Sequence, residues 1–318
     1  MPAPRISVIV CTYNNAASLR RTLSSLQSSI VPQGVECELC LIDNNSKDDT
    51  HAAWQEYENK LPFRTRYFFE SKQGLSNARN RGIEEADGDF LIFTDDDVVV
   101  PSDWIALYAQ TIQSYDADSV FGKIVPEWDG PAPSFFRPEL NPAYALLDYG
   151  NEMRVITDRS LEFFGANFGC SKSKLQAVGG FDAKLGRTKG FLFVGEERQV
   201  FLSLMDLGAK VVYNPKISVH HVIAEKRKHK AYLRKYYKDI AASLVYLADQ
   251  RARRTLLGVP LFRVKECASF FLMLAPRTLA CLAPSARGQF FILELRTRTF
   301  VRMSSIYLQR ALRLGRAS

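Results

Sequence analysis

Short apolar segments alternate with amphipathic segments over the first hundred residues of the chain. Apolar and β-branched residues fill four short segments that predict buried strands, residues 6–10, 38–42, 66–69 and 90–93. Residues 16–28 and 75–86 carry apolar side chains at helical spacing, and another helix is expected to begin near Asp48. This β-α-β-α-β-α-β order predicts an α/β fold with a mostly parallel central sheet.

Polar residues follow three of the predicted strands at the point where each strand ends. The three groups are Thr12-Tyr13-Asn14, Asp43-Asn44 and Asp95-Asp96-Asp97. Sheets of this kind bind ligands beyond the carboxyl ends of their parallel strands. We therefore expect the three groups to meet at one edge of the sheet and to form a binding site.

The three consecutive carboxylates of Asp95, Asp96 and Asp97 indicate a divalent metal site. Adjacent carboxylates repel one another, and a bound cation removes that repulsion. Mn²⁺ and Mg²⁺ prefer oxygen ligands and commonly bind substrate phosphates as well. An exposed acidic turn is the alternative interpretation. The apolar strand at residues 90–93, which ends directly at the acidic run, favours the metal.

The second half of the chain has a different pattern. Five prolines within residues 126–142 predict a long loop, which in compact domains is often a functional lid. A helix is expected at residues 197–207, and residues beyond 224 are helical and basic. The predicted organisation is a catalytic domain at residues 1–223, with halves at 1–100 and 101–223, followed by a basic amphipathic helical region at 224–318.

Charge divides the chain at the same point. The net charge is +8, yet residues 224–318 hold 20 Lys or Arg against 5 Asp or Glu. A basic segment of this kind indicates a polyanionic partner, either nucleic acid or an anionic membrane surface. Its apolar content and the carboxylate-rich body favour a membrane and argue against nucleic acid. Basic helices that pack on the catalytic domain or on a second subunit stay open as the alternative.

We expect no secretory signal at the start of this sequence. The apolar stretch at residues 6–11 is shorter than a signal peptide requires, and no uninterrupted apolar run reaches the roughly 18–20 residues of a spanning helix. The expected location is therefore cytoplasmic, with peripheral contact at the cytoplasmic face of a membrane. A homo-oligomer is neither indicated nor excluded.

Several of these segments, in this order, resemble the family 2 glycosyltransferases with the GT-A fold. The similar segments span residues 7–14, 41–46, 74–82, 93–97, 178–182 and 195–197. The resemblance covers roughly residues 5–223. It implies an inverting enzyme that moves a sugar from a nucleotide sugar, with a UDP-sugar favoured, to a saccharide or lipid-linked saccharide. It also implies that Mn²⁺ or Mg²⁺ assists the reaction.

The resemblance also implies roles for individual residues. The donor-binding residues would be Cys11, Thr12, Tyr13, Asn14, Asp43, Asn44, Arg79, Asp95, Asp96, Arg187 and Lys189. Within this group Asp43 would receive the nucleotide base and Arg79 would lie near the donor diphosphate. The metal ligands would be Asp97, Asp95 and His221. The acceptor side would be shaped by Asn167, Gly179, Gly180 and Asp182.

The acidic pair Glu196-Glu197 supplies the candidate general base. In the family the second acid of such a pair removes the proton from the attacking hydroxyl, which assigns this role to Glu197. Arg198-Gln199-Val200 follows the pair where relatives have another acid and an apolar residue, so Glu196 stays open as the base. Two other functions are considered, a metal-dependent nucleotidyl- or phosphotransferase and an inactive nucleotide-binding relative. No Walker-type phosphate loop supports the first of them.

Overall fold

The computed structural model describes residues 4–188, 191–192, 194–251, 255–256, 259–263 and 289–314. These residues fall into two compact units. The first unit contains Met1–Asp129, Tyr144–Lys189 and Glu196–Ile223, and the second contains Gly130–Ala143, Gly190–Gly195 and Ala224–Ser318. The division after Ile223 coincides with the charge boundary in the sequence, and two short earlier segments also belong to the second unit.

The first part of unit one has the predicted alternation of strands and helices. Its elements are β1 (Arg5–Thr12), α1 (Ala16–Gln27), β2 (Glu36–Asp43), α2 (Thr50–Gln55), β3 (Arg64–Phe69), α3 (Leu75–Glu85) and β4 (Phe90–Asp95). The four strands are parallel to one another. Most apolar residues of β1, β2 and β4 are buried on both faces of the sheet, as expected for parallel strands covered by helices, whereas those of the edge strand β3 are only partly buried or exposed.

The remainder of unit one extends the same sheet. Its elements are β5 (Val98–Val99), α4 (Trp104–Tyr115), β6 (Ser119–Trp128), β7 (Arg154–Val155), β8 (Phe168–Ser171), α5 (Lys172–Ala177), β9 (Arg187–Thr188), α6 (Glu196–Asp206) and β11 (Val211–Ile223). The strand order among the described residues is β3-β2-β1-β4-β8-β6-β11-β5, and β7 also pairs with β11. Because β8 is antiparallel to both β4 and β6, the complete sheet is mixed rather than mostly parallel.

Two parts of this region differ from the expected pattern. Strand β6 continues through Pro126 to Trp128, so the proline-rich segment is strand at its start. It later includes a 3₁₀ helix at Pro138–Tyr144. The two extended segments expected near residues 210 and 217 form one strand, β11, with an irregularity in its pairing between Asn214 and Ser218. A bulge of this kind re-aims the residues that follow it.

The second unit is mainly helical. Its elements are β10 (Phe191–Leu192), a 3₁₀ helix (Glu225–Lys228), α7 (Lys230–Arg251), β12 (Thr255–Leu256), β13 (Val259–Pro260) and α8 (Gln289–Leu314). Helices α7 and α8 pack together through a small apolar core that contains Ala241, Val245, Met303 and Tyr307. Within the described ranges, no helix has the length and apolar content needed to cross a bilayer.

Val194 and Gly195 contact α7 inside the second unit. The Val194 amide donates to Ser243 Oγ at 3.1 Å. Gly195 has a φ of +106°, and a Cβ placed there would lie 2.6 Å from Leu247 Cδ1. Glycine is therefore needed here for both conformation and space. The next residue along the chain, Glu196, begins α6.

Candidate active site

The polar residues at the ends of β1, β2 and β4 lie side by side. In the sheet register Thr12 pairs with Asp43, and Cys11 pairs with Asp95. Cys11 is buried, and burial raises the pKa of its thiol to about 12, so it is a neutral thiol at physiological pH. The parallel strands therefore bring the predicted nucleotide carboxylate and the acidic run to one edge of the sheet.

Asp43 is a buried carboxylate held by two neutral donors. Its Oδ1 accepts from the Ser46 amide at 2.8 Å, and its Oδ2 accepts from the Tyr67 hydroxyl at 2.6 Å. Tyr67 packs edge-on against His51 at a ring-centroid distance of 5.0 Å. Burial and the Asp43 carboxylate raise the pKa of Tyr67, so the phenol keeps its proton and donates it. Sequence reasoning did not identify Tyr67, although its place near the end of β3 is a usable signal.

The other residues around Asp43 organise the loops. Asn44 is buried, and its Oδ1 accepts from the Gly74 amide at 2.7 Å at the start of α3. Its Nδ2 donates to the carbonyls of Glu70 and Lys72. Asn14 has a positive φ of 48° and accepts from the Lys47 amide at 2.6 Å. Asn44 and Asn14 therefore hold the loops around the predicted base site. Tyr13, which is partly exposed, lies directly before Asn14 at the end of β1.

Strands β5 and β11 bring Asp97 next to His221. Strand β5 pairs antiparallel with β11, and His221 is opposite Val98. The Val222 amide donates to the Asp97 carbonyl at 2.8 Å. In this register His221 Nε2 lies 3.2 Å from Asp97 Oδ1. His221 is buried whereas His220 is exposed, which distinguishes the two adjacent histidines in favour of the one expected from sequence.

Asp95 and Asp96 are in different environments. Arg79 Nη2 lies 3.6 Å from Asp95 Oδ1. Asp96 Oδ1 accepts from Asn15 Nδ2 at 2.8 Å, just before α1. Burial and the neighbouring Asp97 raise the pKa of Asp96 to about 7, and burial also raises the pKa of Asp95. Charge is therefore poorly compensated at this edge of the sheet, which is a property expected of a cation-binding site.

The residues present fit a divalent cation that completes its coordination with substrate oxygens. Asp97 Oδ1 and His221 Nε2 are close enough to serve one ion, and the acidic run supplies further oxygens. In the part of the chain that the structure describes, no three His, Cys, Asp or Glu side chains form a metal cluster by themselves. Mg²⁺ and similar ions are commonly bound by one or two carboxylates together with substrate phosphates, which this partial set of ligands allows.

The acidic pair lies at the start of α6, where the helix dipole favours negative charge. Arg79 Nη1 donates to Glu197 Oε1 at 3.0 Å and to Glu196 Oε1 at 3.2 Å. Burial and the adjacent Glu197 raise the pKa of Glu196 to about 8. Burial also opposes ionisation of Glu197, but Arg79 and the backbone amides outweigh it and lower that pKa. At neutral pH Glu197 is therefore the ionised member of the pair and Glu196 the protonated one.

The glycine turn after α5 is attached to α3. Gly179 and Gly180 both have positive φ, and a Cβ at Gly180 would lie 2.6 Å from Asn80 Oδ1. Asn80 Oδ1 accepts from the Phe181 amide, and its Nδ2 donates to the Phe181 carbonyl, both at 2.8 Å. Asp182 follows and accepts from the Lys184 amide. The turn with the predicted acceptor residues Gly179, Gly180 and Asp182 is therefore attached through Asn80 to α3, the helix that carries Arg79.

Three other predicted site residues have different placements. Asn167 is fully buried, and its side chain bonds to Trp104, Tyr108 and two carbonyls of the core. It would therefore shape the acceptor side only by supporting the fold. Arg187 is exposed in β9. Burial raises the pKa of Asp95, and the positive charge of Arg187 acts against part of this rise. Lys189 lies outside the described residues.

The chain is similar in sequence to known proteins. The sequence profile of the family described as Glycosyl transferase family 2 matches residues 7–179, more than half of the chain. The chain is similar to the glucosyl-dolichyl phosphate glucuronosyltransferase of Haloferax volcanii, with 26% identity over 233 residues that cover 70% of this chain and 71% of that protein. It is also 25% identical to the succinoglycan biosynthesis protein ExoM of Rhizobium meliloti, over 72% of this chain and 71% of that protein.

A solved structure has a similar fold along most of the chain. It is the mannosyltransferase PcManGT from Pyrobaculum calidifontis in complex with GDP-Man and Mn²⁺. The TM-score is 0.63 at 16% identity, and the match covers 94% of this chain and 87% of that one. At this identity the similarity concerns the fold, and it confirms the expected α/β fold of the GT-A type.

Proposed function

The chain belongs to glycosyl transferase family 2, and on that basis we propose that it transfers a sugar from a nucleoside-diphosphate sugar to an acceptor hydroxyl with inversion at the anomeric carbon. The observation that carries this proposal is the cluster around Arg79. This residue contacts Asp95 of the acidic run on one side and the Glu196-Glu197 pair on the other. A carboxylate predicted to bind the sugar donor and a carboxylate predicted to act as the base therefore contact the same buried cation.

The proposed acceptor is a saccharide or a lipid-linked saccharide. Two relatives support this choice, since one is named for a dolichyl phosphate-linked substrate and the other for biosynthesis of the polysaccharide succinoglycan. The similar mannosyltransferase was solved with GDP-Man, whereas the sequence resemblance favours a UDP-sugar. The donor is therefore proposed as a nucleoside-diphosphate sugar, and the titration below determines whether its nucleoside is uridine or guanosine.

The residues of this chain would act on the acceptor and on the base of the donor. Glu197, ionised at neutral pH, accepts the proton of the attacking hydroxyl as its oxygen bonds to the anomeric carbon. The bond from that carbon to the diphosphate oxygen breaks in the same displacement. Asp43, held by Tyr67 and Ser46, presents a fixed carboxylate to an N–H donor of the base.

Asp97, His221 and Asp95 would hold the Mn²⁺ or Mg²⁺ ion. Such an ion, when bound, stabilises the negative charge that develops on a departing diphosphate. Asp96 is engaged with Asn15 and would support the acidic run rather than bind the ion.

Calorimetric titration with UDP, GDP and dTDP, each with and without Mn²⁺, tests the proposal. We expect one diphosphate to bind tightly and only with the metal. Asp97→Asn should abolish the metal-dependent part of the binding, because it removes a charged ligand. Asp206→Asn, which alters an exposed carboxylate at the end of α6, is the control and should bind as the native protein does. Absence of metal-dependent binding to all three nucleotides would refute the proposal.

We also propose peripheral contact of the second unit with the cytoplasmic face of a membrane. Helix α8 buries Leu295, Met303 and Tyr307 on one face. On the opposite face it exposes a row of apolar side chains at whole-turn spacing, Phe290, Val301, Leu308 and Leu312. The exposed arginines Arg298 and Arg302 border this row. Apolar side chains flanked by arginines suit an anionic lipid surface, whereas a second copy of this basic helix would be repelled.

Co-sedimentation with vesicles tests the membrane contact. Vesicles of phosphatidylglycerol and phosphatidylcholine should retain the protein, and pure phosphatidylcholine vesicles should retain much less of it. Leu308→Glu should reduce retention by placing a carboxylate on the exposed face of α8. The control is Leu207→Glu at the end of α6, where the leucine is also exposed. Equal retention of the two variants would exclude α8 as the contact.

A further inference from the structure

Arg79 is an almost completely buried cation in the middle of α3. Only 2% of its side chain is exposed. Its guanidinium lies among three carboxylates, with Nη1 bonded to Glu197 and Glu196 and Nη2 at 3.6 Å from Asp95. It also lies 5.3 Å from the centre of the Phe181 ring. Burial acts against its charge, but the carboxylates outweigh this and raise the pKa of Arg79, so it is always charged.

Gly165 closes the remaining side of the guanidinium. A Cβ at this position would lie 1.8 Å from Arg79 Nη2 and 2.5 Å from Arg79 Cζ. The Gly165 amide also donates to Glu197 Oε1 at 3.2 Å. The chain therefore passes directly over the Arg79–Glu197 contact, with no side chain between them. A residue so enclosed has little surface left to contact a donor diphosphate. Such contact is the role that the sequence resemblance implies for Arg79.

The contacts around Arg79 are unequal for the two glutamates. Glu197 Oε1 receives two donors, Arg79 Nη1 and the Gly165 amide. Glu196 Oε1 receives the longer bond from Arg79, and within the described residues Glu196 Oε2 is buried without a hydrogen-bond partner. Charged donors stabilise an ionised carboxylate more strongly than a protonated one. The arrangement therefore favours ionisation of the second glutamate over the first.

We infer that Arg79 is a positioning residue for the base, which orients Glu197 and selects it over Glu196 as the ionised member of the pair, and that it does not bind the donor. This inference rests on the proposed transferase function. It predicts that changes at Arg79 reduce turnover and leave donor affinity nearly intact. A diphosphate ligand would show the opposite pattern, because its loss weakens the bound donor directly.

The test combines donor binding with turnover of the full chain. Binding is measured as calorimetric affinity for UDP or GDP with Mn²⁺. Turnover is measured as release of the same diphosphate from UDP-glucose, UDP-GlcNAc or GDP-mannose with water as the acceptor. In that reaction the water oxygen bonds to the anomeric carbon, the bond to the diphosphate breaks, and Glu197 takes the proton. If the native protein binds none of UDP, GDP and dTDP with Mn²⁺, the proposed function fails before any variant is made.

Arg79→Met and Arg79→Lys are the informative variants. We expect Arg79→Met to lower turnover by roughly 100-fold or more, because an unpositioned base loses most of its contribution. Arg79→Lys keeps the charge and should recover part of the rate. Both should bind the nucleotide within about threefold of the native affinity. Arg81→Lys and Arg81→Met, on the exposed side of the same helix, are the matched controls and should match the native rate.

A third variant covers the case in which Arg79→Met does not fold. Gly165→Ala keeps Arg79 and moves its guanidinium, so turnover should fall while nucleotide affinity stays. Loss of affinity in parallel with turnover in either folded variant would assign Arg79 to the donor and overturn the inference. An equal loss of turnover in Arg79→Lys and Arg79→Met, with no recovery by the lysine, would also overturn it.

Discussion

Asp43 and Glu197 are carboxylates of the same unit, but they are held by different means. Asp43 accepts from two neutral donors, the Ser46 amide and the Tyr67 hydroxyl. Glu197 accepts from the buried cation Arg79 and from one amide. The Ser46 and Tyr67 donors carry no charge, whereas Arg79 is a cation, and an opposite charge close by favours the ionised form of a carboxylate. The first arrangement suits recognition of a base, and the second suits transfer of a proton.

The largest expected difference is between the two glutamates beside Arg79. Glu197→Gln removes the proposed base and should lower turnover by roughly 10²–10⁴-fold with nucleotide affinity nearly unchanged. Glu196→Gln resembles the protonated state that Glu196 already has at neutral pH, so its loss should stay below about tenfold. Steady-state rates with the identified nucleotide sugar measure both. The reverse order would assign the base to Glu196.

A smaller effect is expected on the nucleotide side. Tyr67→Phe removes the hydroxyl that donates to Asp43 Oδ2 and keeps the ring against His51 and Trp54. One hydrogen bond to a charged group contributes about 1.5–3 kcal/mol. Because Tyr67 acts on the nucleotide only through Asp43, we expect the lower end of this range, a loss of roughly tenfold in nucleotide affinity. Turnover at saturating donor should change little. If Tyr67→Phe had native affinity but reduced turnover, Asp43 could not be assigned to recognition of the nucleotide base as distinct from proton transfer.

The smallest effect is expected on stability as a function of pH. The pKa of Glu196 is raised to about 8 in the folded protein. At a pH between the ordinary glutamate pKa and about 8, the folded state therefore holds a proton on Glu196 that the unfolded chain has released. Stability should therefore decrease as the pH rises from about 5 to 8. Thermal unfolding should give a lower midpoint at pH 8 than at pH 6, and Glu196→Gln should reduce this difference. Tyr67→Phe should retain the native difference.

The strand-end part of the site was predictable from the sequence, because each apolar run of β1, β2 and β4 ends in polar residues. Parallel strands then place those ends together whatever the rest of the fold does. The ion pairs between Arg79 and the Glu196-Glu197 pair were not predictable in the same way. Arg79 and Glu197 are separated by 118 positions, and their contact depends on β8 and on the close approach of Gly165. A four-residue strand such as β8 has too short a pattern to be recognised.

The role of Tyr67 was missed for a similar reason. It lies in a strand whose residues are only partly buried, so its hydrogen bond to Asp43 has no periodic signal. Helix α4 was missed although Trp104, Ile105 and Tyr108 have helical spacing. His221, in contrast, was selected in advance; it is buried in β11 beside Asp97, and its role as a metal ligand stays a prediction.

The contacts of Val194 and Gly195 with α7 limit how this chain can be divided or recombined. These two residues, directly before Glu196, pack against Ser243 and Leu247. A version cut after Ile223, or a chimera given the C-terminal helices of a relative, would lose or replace those two partners. The shortened version would also lose α8, the proposed lipid contact, whereas a chimera would lose activity even where the helices of the relative still bind lipid. We therefore expect related proteins to keep the C-terminal helices together with the residues directly before the acidic pair, and not to exchange these helices independently.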